Sequence, residues 1–151
     1  MSLGGGGGGQ QQLQQISQEL EAIDAEIDEV DGEINDLRQE QSEIDEAVSA
    51  IETLESGSTV QVPLGGGAYL RAEVQDIDEV IGSLGGGYAA EQEQNDAIDA
   101  LQRKRDSIDD RIDELRSEKS ELEAESDELE QRAQQMQQQL QQQQMQQMQQ
   151  M

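Results

Sequence analysis

The chain has no cysteine, histidine, tryptophan or phenylalanine, and only one proline and two tyrosines in 151 residues. Without cysteine there is no disulfide framework, and no thiolate to serve as nucleophile or soft metal ligand. Without histidine the commonest general base and metal ligand is missing. Without the large aromatics the chain lacks the side chains that dominate ordinary globular cores. Basic residues are scarce as well, 9 Lys and Arg against 35 Asp and Glu, for a net charge of −26. Phosphate binding needs clustered Lys and Arg, so nucleic acid is not an expected partner. An anionic membrane is excluded by the same charge. No apolar run is long enough to span a bilayer, and Met1-Ser2-Leu3 with six glycines is not a secretory leader. The expected location is the cytoplasm.

The acidity has two readings. One is the solvated exterior of a coiled coil. The other is adaptation to high salt, where dense carboxylates keep a protein hydrated and ions screen their repulsion. The near-absence of lysine, Lys104 and Lys119 only, favours the second.

What the chain does have is a heptad seam. From Leu13 the apolar residues fall at Ile16, Leu20, Ile23, Ile27, Val30, Ile34, Leu37, Ile44, Val48 and Ile51, with Gln41 in the one gap. Alternating steps of three and four hold one face of a helix toward a partner. The rhythm returns at Ile98, Leu101, Arg105, Ile108, Ile112, Leu115, Lys119, Leu122, Ser126, Leu129, Ala133, Met136 and Leu140. The pattern predicts a flexible glycine tail over 1–9, a first helix over 10–55, a second over 93–140 and a Gln/Met-rich tail over 141–151. Gly57 is expected to cap the first helix. Gln41, Arg105, Lys119 and Ser126 are either imperfect packing or devices that fix register and partner.

Between the helices, residues 58–91 change period from 3.5 to 2. Val60, Val62 and Leu64 alternate with polar residues, Gly65-Gly66-Gly67 makes a turn, and Tyr69, Leu70 and Val74 lie on a return strand. Val80, Ile81 and Leu84, Gly85-Gly86-Gly87 and Tyr88 repeat the plan. These are two β-hairpins with glycine turns. Isolated hairpins are marginal in water, so their strands are expected to pair with strands of other subunits.

The fold class is therefore mainly α: a long antiparallel two-helix coiled coil joined by two β-hairpins that oligomerise. Antiparallel pairing across the hairpins sets Gln41 near Arg105, Lys119 near Ile27 and Leu13 near Arg132. Beyond Met136 only glycine and glutamine stand opposite. Leu13, Ile16, Met136, Leu140, Met145, Met148 and Met151 are therefore candidates for an available apolar tip, methionine being flexible and polarizable. The competing reading is inert low-complexity sequence.

Chemistry-bearing motifs fail on context. Gly4–Gly9 satisfies G-x-G-x-x-G with no preceding strand. Asp24, Glu26, Asp28 and Asp31 resemble a calcium loop, but its sixth position needs glycine and holds Glu29, and the heptad runs through it unbroken. No carboxylate pair has an apolar pocket to work in. No enzyme activity, cofactor or metal site is expected.

The residues Val62-Pro63-Leu64-Gly65-Gly66-Gly67-Ala68-Tyr69-Leu70-Arg71-Ala72-Glu73-Val74, then Val80-Ile81 and Leu84-Gly85-Gly86-Gly87-Tyr88-Ala89-Ala90-Glu91, closely resemble the archaeal prefoldin alpha-subunit family. That family shows a V-P-L-G-x-G turn, a return strand and a glycine-turn exit into its second helix. The resemblance implies a jellyfish-shaped heterohexamer of two alpha and four beta subunits, with the strands forming a β-barrel platform. Two hairpins match an alpha subunit, since beta subunits carry one. It further implies an ATP-independent chaperone that captures non-native client proteins and passes them to a group II chaperonin. In that setting Val60, Val62, Leu64, Tyr69, Leu70, Val74, Val80, Ile81, Leu84 and Tyr88 are the assembly strands. The rival is a structural coiled-coil scaffold or tether with a β-mediated oligomerisation node.

Overall fold

The computed structural model describes residues 3–150. In chain order it has helix α1 (Leu3–Thr53), strands β1 (Thr59–Gly65), β2 (Ala68–Glu73), β3 (Val80–Gly85) and β4 (Tyr88–Gln92), and helix α2 (Gln94–Gln149). Two long helices joined by two antiparallel hairpins are thus the observed fold. The chain forms two compact units, residues 3–35 with 112–150 and residues 36–111.

In the first unit the two helical stretches pair antiparallel through the seam. Ile16, Ile23, Val30 and Ile34 are buried from α1, and Ile112, Leu115 and Leu129 from α2. Leu20, Ile27, Leu122, Ala133 and Met136 pack partly buried against Ile16, Ile23 and Leu129. All are seam positions, so the heptad pattern chose the core. Full burial of one such side chain contributes about 1.5–3 kcal/mol, and Leu115, at 1% exposure, is the most completely enclosed. Lys119 lies in the seam by position but carries its ammonium outward. Its Nζ reaches Asp31 at 2.8 Å and Glu123 at 3.8 Å. The hydrogen bond to Asp31 raises the lysine above its ordinary value, against an opposing desolvation.

In the second unit Ile44, Ala97 and Ile108 are buried, and so is Gln41. The Gln41 amide donates to the Arg105 carbonyl at 3.2 Å and to Asp109 Oδ1 at 2.6 Å. The expected pairing of Gln41 with Arg105 is therefore what forms. A buried amide aligned with one carbonyl on the facing helix fixes the register there. Arg105 turns its guanidinium out to Asp45, Nε to Oδ1 at 2.8 Å. That hydrogen bond, with the charge of Asp45, raises its pKa from the ordinary value.

The hairpins of the second unit are held by side-chain caps. The Gln94 amide donates to the carbonyls of Ile51 at 2.7 Å and Leu54 at 3.5 Å, so the start of α2 satisfies orphan carbonyls at the end of α1. Asp78 accepts the Gln94 N–H at 3.3 Å, and Asp96 places negative charge in the first turn of α2, where the helix dipole favours it. Ser56 Oγ accepts from Ile77 N–H at 3.1 Å. All three glycines of each triplet have positive φ, and the two central turn positions are Gly66 and Gly67 at 61° and 80° and Gly86 and Gly87 at 62° and 83°. That is the requirement of a type I′ turn, which matches strand twist. In each hairpin the register slips by a bulge just before the turn, between Pro63 and Gly65 and between Ser83 and Gly85.

Four details differ from the sequence pattern. Helix α1 begins at Leu3 rather than Gln10, so residues 3–9 are helical. Glycine is a poor helix former, so packing against the facing helix, as where Gly9 meets Leu140, supports this stretch rather than propensity. Helix α2 runs through the expected tail to Gln149, since Gln and Met are good helix formers. Gly57 is not a helix cap. It has φ 89°, and its N–H donates to the Val74 carbonyl while Val74 N–H returns to Ser58, so it shapes the base of the first hairpin. Finally, Gly9 stands beside Leu140. A Cβ on Gly9 would sit 2.9 Å from a Leu140 methyl, so a larger residue there would make that side chain shift. The coil therefore continues past Met136.

Gln41→Leu should stabilise the fold by about 1–2 kcal/mol, since burying a leucine outweighs two modest hydrogen bonds. The carboxylate of Asp109, being exposed, can rehydrate. Urea unfolding in molar salt checks this, and a lower unfolding free energy would contradict it. The fold should also need salt. Screening reaches about 10 Å at 0.1 M and about 3 Å at 1 M, so helical circular dichroism should fall on dilution from molar into low salt. An unchanged spectrum and melting point would contradict the high-salt reading.

Candidate interaction surfaces

Two surfaces carry the residues singled out by the sequence. The first is the hairpin region of the second unit. Val62 pairs with Leu70 and Val60 with Ala72 across β1 and β2, and period-2 alternation puts all four on one face. Val62, Leu64, Tyr69 and Leu70 are exposed. In the other hairpin Ile81 is 72% and Tyr88 75% exposed. Val60, Val74 and Val80 are half-buried. The side chain of Leu84 lies outside the described residues.

Each sheet has only two strands among the described residues, so every strand keeps one edge of unpaired N–H and C=O groups. Exposed apolar side chains together with open edges mark an interaction site. Beneath β3 a groove of about 600 Å³ is lined by Ala47, Ile51, Val80, Ala97, Ala100 and Leu101 among others.

The second surface lies in the first unit, around the start of α1 and the end of α2. The structure divides the expected tip residues. Ile16 is buried in the seam, and Leu13, Met136 and Leu140 are half-buried. Met145 and Met148 stand free at 68% and 78% exposure. Met151 lies outside the described residues. Two shallow clefts flank Met136. One, of about 290 Å³, is lined by Gly8, Gly9, Gln12, Gln139, Leu140 and Gln143. The other, of about 370 Å³, is lined by Gln12, Gln15, Ile16, Glu19 and Arg132.

The sequence pattern missed Gly9 and its glutamine neighbours. The signal was present, since Gly9 lies four residues before Leu13 and seven before Ile16, which is a seam position. No group of His, Cys, Asp and Glu among the described residues could hold a metal ion. No helix among them is long and apolar enough to cross a membrane. What both surfaces offer is apolar contact area and backbone or amide hydrogen bonding.

Comparison with known proteins gives a consistent pattern. The family model of the prefoldin subunit matches residues 23–147. The chain is 73% identical over 105 residues to the prefoldin subunit alpha of Halorubrum lacusprofundi, covering 70% of this chain and 69% of that one. It is 60% identical over 108 residues to that of Haloarcula marismortui, covering 72% and 70%. It is 65% identical over 115 residues to that of Halobacterium salinarum, covering 76% and 73%. Among solved structures, a cryo-EM structure of filamentous PFD from Methanocaldococcus jannaschii matches with a TM-score of 0.52 and 27% identity, covering 79% of this chain and 95% of that chain.

Val62→Asp combined with Leu70→Asp should abolish association through the hairpins, because each aspartate would have to be buried unpaired. The coil should keep its helical circular dichroism. Light scattering and circular dichroism on the same sample check both, and an unchanged particle mass would contradict the assignment.

Proposed function

Because this chain belongs to the prefoldin subunit family, we propose that it works as an alpha subunit that captures non-native proteins without ATP in the cytoplasm and passes them to a group II chaperonin. Its partners are prefoldin beta subunits, four with two copies of this chain. The exposed faces and open edges of the two hairpins supply strands to a shared β-barrel platform, the ordinary remedy for hairpins too small to stand alone.

The observation that carries the capture reading is the exposure of Met145 and Met148 at the end of a helix whose apolar seam residues up to Leu140 are buried or half-buried. Methionine repacks readily against varied apolar partners. Leu140 and Met136 border the same region and add half-buried apolar surface. Contacts of this kind are individually weak, and several copies in one complex raise the overall affinity by avidity.

Removing residues 141–151 tests it without touching the seam, whose last member is Leu140. The truncated chain, purified with its beta partners, should keep the mass of the intact complex and most of its helicity. Its suppression of aggregation of a denatured protein should weaken several-fold, as expected when avidity multiplies small losses. Undiminished suppression by the truncated complex would overturn the assignment of capture to this end of the coil.

A further inference from the structure

The carboxylates of this chain are not spread evenly. All 35 lie between Glu19 and Glu130. Residues 1–18 carry no ionisable side chain, and residues 131–151 carry only Arg132. The structure brings these two segments together, since Gly9 touches Leu140 and one cleft there is lined by glycine, glutamine, methionine and leucine alone. The remaining long stretches without carboxylate, residues 56–72 and 80–90, hold the exposed apolar strands. Negative charge is thus withdrawn from both contact surfaces and dense elsewhere.

Apolar exposure alone does not require this. Elsewhere on the helices the solvent-facing positions are rich in Asp and Glu, and beyond Glu130 they are mostly Gln, with Arg132 the one charged side chain. Glutamine keeps the helix propensity and the hydration of glutamate, and removes the charge. Its amide can also donate to and accept from the backbone of an extended chain. A basic polypeptide would be drawn to the carboxylate-rich stretches and has no need of a neutral end. An acidic polypeptide is repelled by them and can dock only where charge is absent. A protein kept soluble in the same solvent faces the hydration demand that put 35 acids on this one.

We propose that the carboxylate-free end formed by residues 8–16 and 131–150 is a docking surface for non-native polypeptides of acidic composition, and that the exclusion of negative charge, in addition to the exposed methionines, is what makes it selective. This rests on the capture reading given above and specifies the substrate class of that site.

The test uses the full chain in complex with its beta partners. Gln141, Gln142, Gln144 and Gln146 are all exposed, and one variant carries Glu at all four, another Lys at all four. Binding of two dye-labelled denatured proteins of similar length, one strongly acidic and one basic, is followed by fluorescence anisotropy. The Glu variant should bind the acidic probe about fivefold more weakly at 1 M salt, where screening over about 3 Å still leaves charges in direct contact unshielded. The basic probe should change by less than about twofold, because charge on the docking face opposes only a like-charged chain. The Lys variant should not lose the acidic probe.

Equal weakening of both probes by the Glu variant, or no weakening of either, would overturn the inference. A change in the mass of the complex without a change in binding would assign the surface to a second copy of this chain and would overturn it too. The complex lacking residues 141–151 separates the two levels. If that truncation weakens capture while the Glu variant binds the acidic probe normally, charge exclusion alone is overturned. If the truncation changes nothing, the capture reading falls with it.

Discussion

The structure depends on one narrow interaction, the burial of Leu, Ile and Val along a single stripe between antiparallel helical stretches. A heptad uses about two positions in seven for that contact and leaves the rest to solvent. This is how a chain with no Phe or Trp holds a fold, and how it carries 35 acidic residues without burying any of them unpaired. The stripe leaves little redundancy. Buried positions in the first unit are single residues such as Ile112 and Leu115, each contributing through its own enclosure. The carboxylates outside the stripe oppose it by mutual repulsion, which screening ions reduce.

Much of this could be read from the order of residues. The apolar seam positions from Ile16 to Ile34 and from Ile108 to Leu129 become buried or half-buried, because a strict spacing leaves a helix only one face to bury. Gln41 beside Arg105 followed from antiparallel pairing across hairpins of known length. The glycine triplets marked the turns because only glycine sits easily at two successive positive φ values. The seam residue Gly9 was not legible by hydrophobicity, since it contributes by having no side chain where Leu140 arrives. Gly57 was misassigned because a glycine after a helix and a glycine opening a hairpin look alike until the Val74 carbonyl that receives its N–H is known. The end of α2 was misread as a tail because glutamine repeats carry no periodic signal, though each residue favours the helix.

The two candidate surfaces share a physical character that the family resemblance alone would not reveal. Both the strands around Val62, Leu70, Ile81 and Tyr88 and the helix end around Met145 and Met148 expose apolar area. Both lie in segments from which carboxylates are missing. In an acidic chain, contact is possible where charge has been left out, so the pattern of charge omission is as informative as the pattern of hydrophobicity. It separates solvent-facing helix rich in Asp and Glu from the carboxylate-free segments that expose apolar area.

Hydrogen exchange on the complex with its partner subunits, measured with and without a bound denatured acidic protein, tests this account most directly. It predicts that the bound protein slows exchange over residues 8–16 and 136–150, while residues 59–92 exchange at the same rate in both states. Protection by the bound protein confined to the carboxylate-rich stretches between Glu19 and Glu130, with the helix end unchanged, would contradict it.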